Sequence, residues 1–284
     1  GLLGIIVEVT LELTDDVILE KKITSINAES LADHFRNVIN PNRAIQFYSA
    51  RFSIGKSDLL NKVLVLTYER TDAVDPKLFE FKVGASSYLQ KIGWLGIEKT
   101  EWVKNIRYFL EKNWFELPEK ISRNNFMGYT VNSLPQDTAQ SSYILQEYFI
   151  PYGCLNEFIT HLRSMVERYG INLLNVTARH VPADKQTLLT YAPEDACALV
   201  LYIQLDRSER IYDQALVWTR SLIEKALEFS GTYYLPYHLI ATQDQLQHAY
   251  PHFKDFLELK KIYDPHGIFS NKLYSKYFTI NSCY

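Results

Sequence analysis

Apolar and polar residues alternate over residues 4–13 (GIIVEVTLEL), with Glu8, Thr10 and Glu12 set against a β-branched series. A period of two predicts a strand, which Asp15-Asp16 ends. Residues 28–39 change to helical spacing, with Asn27 as cap and Asn40-Pro41 as stop. Strands are predicted at roughly 43–53 and 61–69, joined by a short hairpin loop containing Gly55. Residues 71–96, ending in the Gly93/Gly96 pair, carry no clean period, and apolar residues return at helical spacing over about 98–115. The second half is more regular. A strand at 142–150 stops at Pro151, and a helix over about 154–169 ends at Gly170, a good left-handed terminator. Strands follow at 171–180 and 196–204, the latter nearly all apolar and therefore central. A helix is predicted over 208–229, from Ser208 to Ser230-Gly231, and then comes the aromatic segment 232–239. A last helix covers about 243–262, and Asp264-Pro265-His266-Gly267 is a turn by composition. Hairpin-linked strands interleaved with helices predict an α+β fold around a large antiparallel sheet flanked by helices, without repeat or linker.

Composition narrows the partners. At 284 residues and 47% hydrophobic, the chain can bury roughly three quarters of its unfolded surface, so its core needs no disulfide or metal. Thirty Lys+Arg against 33 Asp+Glu leave no basic excess, which argues against nucleic acid as a partner. Cys154, Cys197 and Cys283 form no CxxC pair and point to a reducing compartment. LLGIIV and CALVLYI fall far short of the ~20 apolar residues of a membrane helix, and no signal peptide is visible. No membrane span and a cytoplasmic location are expected.

Several motifs are decoys. Gly55-Lys56-Ser57 lacks the earlier glycine of a phosphate-binding loop, because Ala50 stands there, and a strand follows where a helix should. His248 and His252 have helical spacing but no third ligand, and Pro251 lies between them, so no metal is expected. Glu147 and Asp264 are carboxylates without a partner at a readable spacing, and no nucleophile elbow is present. Residue types alone stop at an α+β domain.

Three longer segments go further. GLLGIIVEVTLEL stands at 1–13, and VTARHVPADKQTLLTYAPEDACALVLYIQL at 176–205. The stretch 231–277 opens GTYYLPYHL and closes with a Lys-rich helix and DPHGIFSN. In this order, with QEYFIP at 146–151, they resemble the vanillyl-alcohol-oxidase-type flavoproteins, especially the sugar, alditol and D-arabinono-1,4-lactone oxidase branch. The resemblance implies an FAD-linked oxidase in which residues 1–14 are the last strand of an upstream FAD-binding domain. Residues 15–230 would be the cap or substrate domain, and 231–284 a segment returning to the flavin domain. The family's phosphate-binding loops are not in this sequence, and the chain opens on Gly1 directly into a strand-like run. An upstream FAD-binding domain is therefore the expected partner, the isolated chain is expected neither to hold FAD tightly nor to turn over, and a homodimer is compatible.

The chemistry the resemblance implies is oxidation of a CH–OH group of a sugar, alditol or aldonolactone, with hydride passing to flavin N5. Arg179 falls where the family places its active-site arginine, suited to a sugar hydroxyl or developing alkoxide. Relatives often carry Glu two residues earlier, where this chain has Thr177. Tyr234 matches an aromatic position against the flavin, and Gly4 and Ile6 would contact flavin through backbone. Tyr237 and His238 stand where several relatives have a catalytic Lys, so either could serve in proton transfer. His180 adjoins Arg179 and should face the other way in a regular strand. On residues alone, Arg179 could equally pair with a carboxylate such as Asp184. Two other functions stay open, a non-enzymatic binding module and a flavin dehydrogenase that uses a protein or quinone acceptor.

Overall fold

The computed structural model describes residues 1–72, 75–80, 97, 100–115, 119–128 and 137–278. Most of the irregular stretch expected at 71–96, with its Gly93/Gly96 pair, lies outside them. Among the described residues the strands are β1 (Ile18–Asn27), β2 (Ile45–Phe52), β3 (Lys62–Arg70), β4 (Lys120–Ser122), β5 (Ser141–Pro151), β6 (Asn172–Val181), β7 (Ala196–Asp206) and β8 (Thr232–Tyr233). They form a single sheet in the order β4-β1-β3-β2-β6-β7-β5-β8, and the register of every pair is antiparallel. The α+β class read from the sequence is the one observed, and β7 is central as its apolar run predicted.

The N-terminal expectation is corrected. Residues 1–17 contain no strand; the first strand is β1, at 18–27. A strand needs a neighbour for its backbone donors and acceptors, and residues 4–13 have none among the described residues. Ile5, Ile6, Val7, Val9, Leu11 and Leu13 are accordingly exposed, Val7 to 93%. In β1 the Glu20-Lys21-Lys22 run hid the alternation. Lys22 Nζ reaches Glu69 Oε2 of β3 at 2.7 Å, and the buried Lys21 reaches Glu119 at 3.4 Å.

The helices are α1 (Leu31–His34), α2 (Glu101–Leu110), α3 (Arg123–Met127), α4 (Leu155–Tyr169), α5 (Glu209–Glu228), α6 (Gln243–Ala249), α7 (Phe253–Tyr263) and α8 (Lys272–Tyr277). α4 and α5 lie side by side on one face of the sheet, burying Leu155, Phe158, Leu162, Trp218 and Leu222, each worth about 1.5–3 kcal/mol. α4 ends at Gly170 with φ +61°, the left-handed terminator expected there. The single helix expected at 243–262 is two, because Pro251 has no N–H to continue the ladder. His248 thereby lies in α6 while His252 precedes α7 as its N-cap residue, and His252 pairs with Asp255 at 2.8 Å. Gly55-Lys56-Ser57 is part of the β2–β3 connection, a short 3₁₀ turn, as the hairpin reading required.

The sheet has a narrow waist. β2 and β6 meet through only two residue pairs, Ala50–Ala178 and Arg51–Thr177. α2 crosses it: Arg107 donates to Glu111 Oε1 at 2.7 Å, to Leu174 O at 2.5 Å and to Asn175 Oδ1 at 3.1 Å. Arg51 of β2 donates to the same Glu111 oxygen at 3.0 Å, and the two guanidiniums hold that carboxyl below its ordinary value against the opposing effect of burial.

The DPHGIFSN ending is a latch. Lys260, 2% exposed, donates to the Asp264 carboxylate and to Phe269 O at 2.6 Å. Asp264 also accepts from the backbone N–H of Ile268 (2.9 Å) and Phe269 (2.8 Å), and Asn271 caps α8. These bonds, Lys260 foremost, hold the Asp264 carboxyl down to about 2. A depressed carboxyl stabilises the fold above its ordinary value near 3.8, and that stabilisation is lost as pH falls towards about 2. Asp264→Asn should lower the melting temperature at pH 7 and flatten its fall below pH ~4, read from thermal unfolding across pH.

Candidate functional site

Strand β5 decides which side chains face away from the helices. Gln146, Tyr148 and Ile150 turn inward: Tyr148 OH donates to Gln146 Oε1 at 2.6 Å, and Gln146 Nε2 donates to Thr219 Oγ1 of α5 at 2.8 Å. Alternation then places Glu147 and Phe149 on the opposite face. The register sets Phe149, Ala198 and Arg179 in one row, and Glu147, Val200, Thr177 and Arg51 in the next. Phe149, Ala196 and Ala198 form a small apolar floor with Val181 and Tyr234.

The return from α5 supplies the remaining wall. Gly231 runs so close to β5 that a Cβ there would stand 2.4 Å from Phe149 O. The two residues of β8 pair with Phe149 and Tyr148, and Tyr234 N–H donates to Glu147 O at 2.9 Å. The rings then tile the face. Phe149 stacks on Tyr191 at 4.5 Å, Tyr191 meets Tyr234 edge-on at 5.5 Å, and Tyr234 meets Tyr237 edge-on at 4.7 Å.

The polar groups of this face are not spent on one another. Among the described residues, the Glu147 carboxyl, the Arg179 guanidinium and the hydroxyls of Tyr191, Tyr234 and Tyr237 make no hydrogen bond or ion pair. Burial pushes the Glu147 carboxyl above its ordinary value, and Arg179 pulls the other way. Burial also raises the Tyr237 hydroxyl, with Glu147 adding to the shift. The face therefore offers a protonated phenol, a guanidinium and a carboxyl that binds its proton more tightly than usual.

Of the residues singled out in the sequence, Arg179, Tyr234 and Tyr237 come together here. His238 does not: it lines a separate cavity of about 730 Å³ with Ser142, Asp206, Arg207 and Asp213. Burial lowers its imidazole below the ordinary value and Asp137 opposes that. His180 faces the helix layer as alternation required, stacked on Phe35 at 4.5 Å with Nδ1 3.3 Å from Tyr152 OH. Gly4 and Ile6 lie in the exposed N-terminal arm, outside the sheet. Asp184 accepts from Thr187 and Gln186 within its own turn and leaves Arg179 alone. Sequence reasoning missed Glu147 and Tyr191 as members of the site. Glu147 had a usable signal, an outward position on a strand whose inward neighbours are locked, whereas Tyr191 sits in a loop with none.

Fold and site define an α+β protein whose antiparallel sheet carries α4 and α5 on one face and an unspent polar and aromatic site on the other. The chain belongs to the D-arabinono-1,4-lactone oxidase family, whose sequence model matches residues 9–278, in agreement with the resemblance to FAD-linked oxidases seen in the sequence. A search of curated proteins finds no match. Among solved structures it is similar to 6-hydroxy-D-nicotine oxidase from Arthrobacter nicotinovorans, at 12% identity and a TM-score of 0.43, covering 89% of this chain and 53% of that one. It is also similar to a variant of berberine bridge enzyme described as a reticuline dehydrogenase, at 9% identity and a TM-score of 0.46, covering 92% and 55%. The chain thus spans about half the length of these structures. Among the described residues no helix is long and apolar enough to cross a membrane, and no cluster of three His, Cys, Asp or Glu could hold a metal.

Gly231→Ala should cost about 1–3 kcal/mol in denaturant unfolding, because the added methyl must displace the β5 backbone. An unchanged midpoint would show that the Gly231 contact does not set the position of β8.

Proposed function

We propose that this chain is the substrate-facing part of an FAD-dependent oxidoreductase that oxidises a CH–OH group of a sugar, alditol or aldonolactone. The carrying observation is the convergence of Arg179, Glu147 and Tyr237, none hydrogen-bonded or ion-paired among the described residues, beside an aromatic wall. A polyhydroxylated ligand needs such a surface, since each hydroxyl can accept from one group and donate to another.

These residues fit the ring and substrate side of a flavin site. The phosphate side is not met, because the glycine-lysine sequence at 55–56 lies in a hairpin connection and not at the start of a long helix. When bound, FAD supplies the two-electron acceptor. Tyr234, with Gly4 and Ile6 through their backbone, would contact it, and the rest would be held by an upstream domain. The exposed apolar run at 5–13 supports reading residues 1–14 as a strand of that domain, since unpaired β-prone sequence of this kind is normally covered. Residues 15–230 would then be the cap and 231–284 the returning segment, in a cytoplasmic enzyme.

In the site, Arg179 donates to a substrate hydroxyl and stabilises negative charge as the O–H bond weakens. Tyr237, protonated at neutral pH, is a second donor. His238 lines another cavity and is not given a role at the reacting carbon.

The test is anaerobic mixing of the enzyme, this chain together with its upstream FAD-binding domain and loaded with FAD, with a panel of aldonolactones, alditols and aldoses, followed through bleaching of the flavin's visible absorbance. At least one should reduce the flavin within a catalytic time. If none does while a chemical reductant bleaches the same sample, the reading is wrong. Arg179→Ala should lower kcat/KM for the active substrate ten- to about a thousandfold.

A further inference from the structure

Two residues before Arg179 on β6 stands Thr177, which brings no carboxylate to the site. Thr177 lies in the row Arg51, Thr177, Val200, Glu147 on the side of the sheet away from α4 and α5, so the carboxyl of that row belongs to Glu147, two strands away. At ~4.8 Å between neighbouring strands, that places it about 10 Å across the sheet from β6, a gap of the right order for a small polyol. At the other end of the row, Arg51 is engaged by Glu111.

Glu147 is the surprising member of this face. It is half-buried, has no hydrogen bond or ion pair among the described residues, and stands over a floor of Phe149 and Ala198. The charged and titratable groups facing it are Arg179 from β6 and Tyr234 and Tyr237 from the segment after β8. Tyr250 feels its charge as well, although its hydroxyl is committed to Tyr233 O. On this side β7 places Val200 directly beside Glu147, with Ala198 and Ala196 further along the strand. A carboxyl kept from water without a partner costs stability, and such a cost persists where the group is used.

We propose that Glu147 is the proton acceptor of the oxidation, with Arg179 and Tyr237 holding the reacting hydroxyl towards it. This deepens the functional reading above and rests on it. The substrate O–H bond breaks, and its proton passes to a Glu147 carboxylate oxygen. The electron pair left on oxygen forms the carbonyl, while the C–H bond breaks and its electron pair leaves with the hydrogen as hydride to the bound flavin. Glu147 then returns its proton to solvent. Tyr237 cannot take this part at neutral pH because its hydroxyl is raised, whereas a raised carboxyl is closer to the working pH and is the better matched base.

Two measurements on the FAD-loaded protein test the proposal. Glu147→Gln should lower the rate of flavin reduction about 100- to 10,000-fold with KM little changed, and Glu147→Asp should recover part of the loss. The second is independent of turnover. A carboxyl raised in the folded state weakens the fold once pH exceeds its unfolded value, so removing its charge should leave Glu147→Gln at least as heat-stable as wild type at pH 7. Carbon-13 titration of the Glu147 carboxyl should give a midpoint above its ordinary value, moving higher still in Arg179→Ala. Wild-type turnover in Glu147→Gln, or a carboxyl midpoint at or below the ordinary value, would overturn the proposal while leaving the enzymatic reading intact. A substrate panel inert towards the wild type would instead remove the reading on which it rests.

Discussion

The bond chain from Tyr148 through Gln146 to Thr219 fixes the face of β5, and through it nearly every element of the site. A strand has two faces and a period of two, so a one-residue slip would send every side chain to the other side. With a phenol and an amide locked inside against α5, such a slip would bury the Glu147 carboxyl in the helix layer and strand two polar partners. The polar core of β5 therefore sets register, and register sets the site. It also fixes the floor, since Phe149 follows Glu147 at the same parity, and Gly231 lets β8 press against that strand.

A second constraint acts at the waist. Two residue pairs are a thin hinge between two four-stranded halves, and by themselves would allow them to twist independently. The Arg51–Glu111–Arg107 network, with Arg107 also bound to the β6 backbone, ties β2, α2 and β6 into one unit. Arg179 directly follows Ala178, the last β6 residue paired across that waist, so its placement depends on this clamp more than on any contact of its own. A buried network of this kind specifies geometry more surely than it adds stability.

Much of the fold was legible because long elements declare their period. The runs that became β5, β6, β7, α4 and α5 are regular over ten or more residues, and β5, α4 and α5 end at or beside Pro151, Gly170 and Ser230-Gly231. What failed was what depends on partners. Residues 4–13 have a strand's alternation and no neighbouring strand among the described residues, while β1 has a neighbour and its alternation is masked by Lys21 and Lys22, which find carboxylates only in three dimensions. The site divides the same way. Arg179, Tyr234 and Tyr237 could be singled out because a family pattern marks them, and His180 could be set aside by parity. His238 could not be separated from Tyr237, since adjacent residues in a turn have no fixed parity. Glu147 looked isolated because its companions come from other strands.

The returning segment shows how a motif can mark a site without belonging to it. DPHGIFSN carries much of the family resemblance, yet its polar groups are spent within the segment and its neighbours: Asp264 satisfies two backbone N–H groups and neutralises Lys260, and Asn271 caps the next helix. Such closure keeps α7 and α8 folded against the body, where Gln243 donates to Tyr277 O and Tyr277 donates to Ala241 O. Those bonds anchor the chain only a few residues after Tyr237. The site is the reverse case, for Glu147, Arg179 and Tyr237 are near one another and, among the described residues, make no hydrogen bond through their side chains. A fold that closes its polar groups so completely in one place and leaves them open in another has put the open ones where a ligand must complete them.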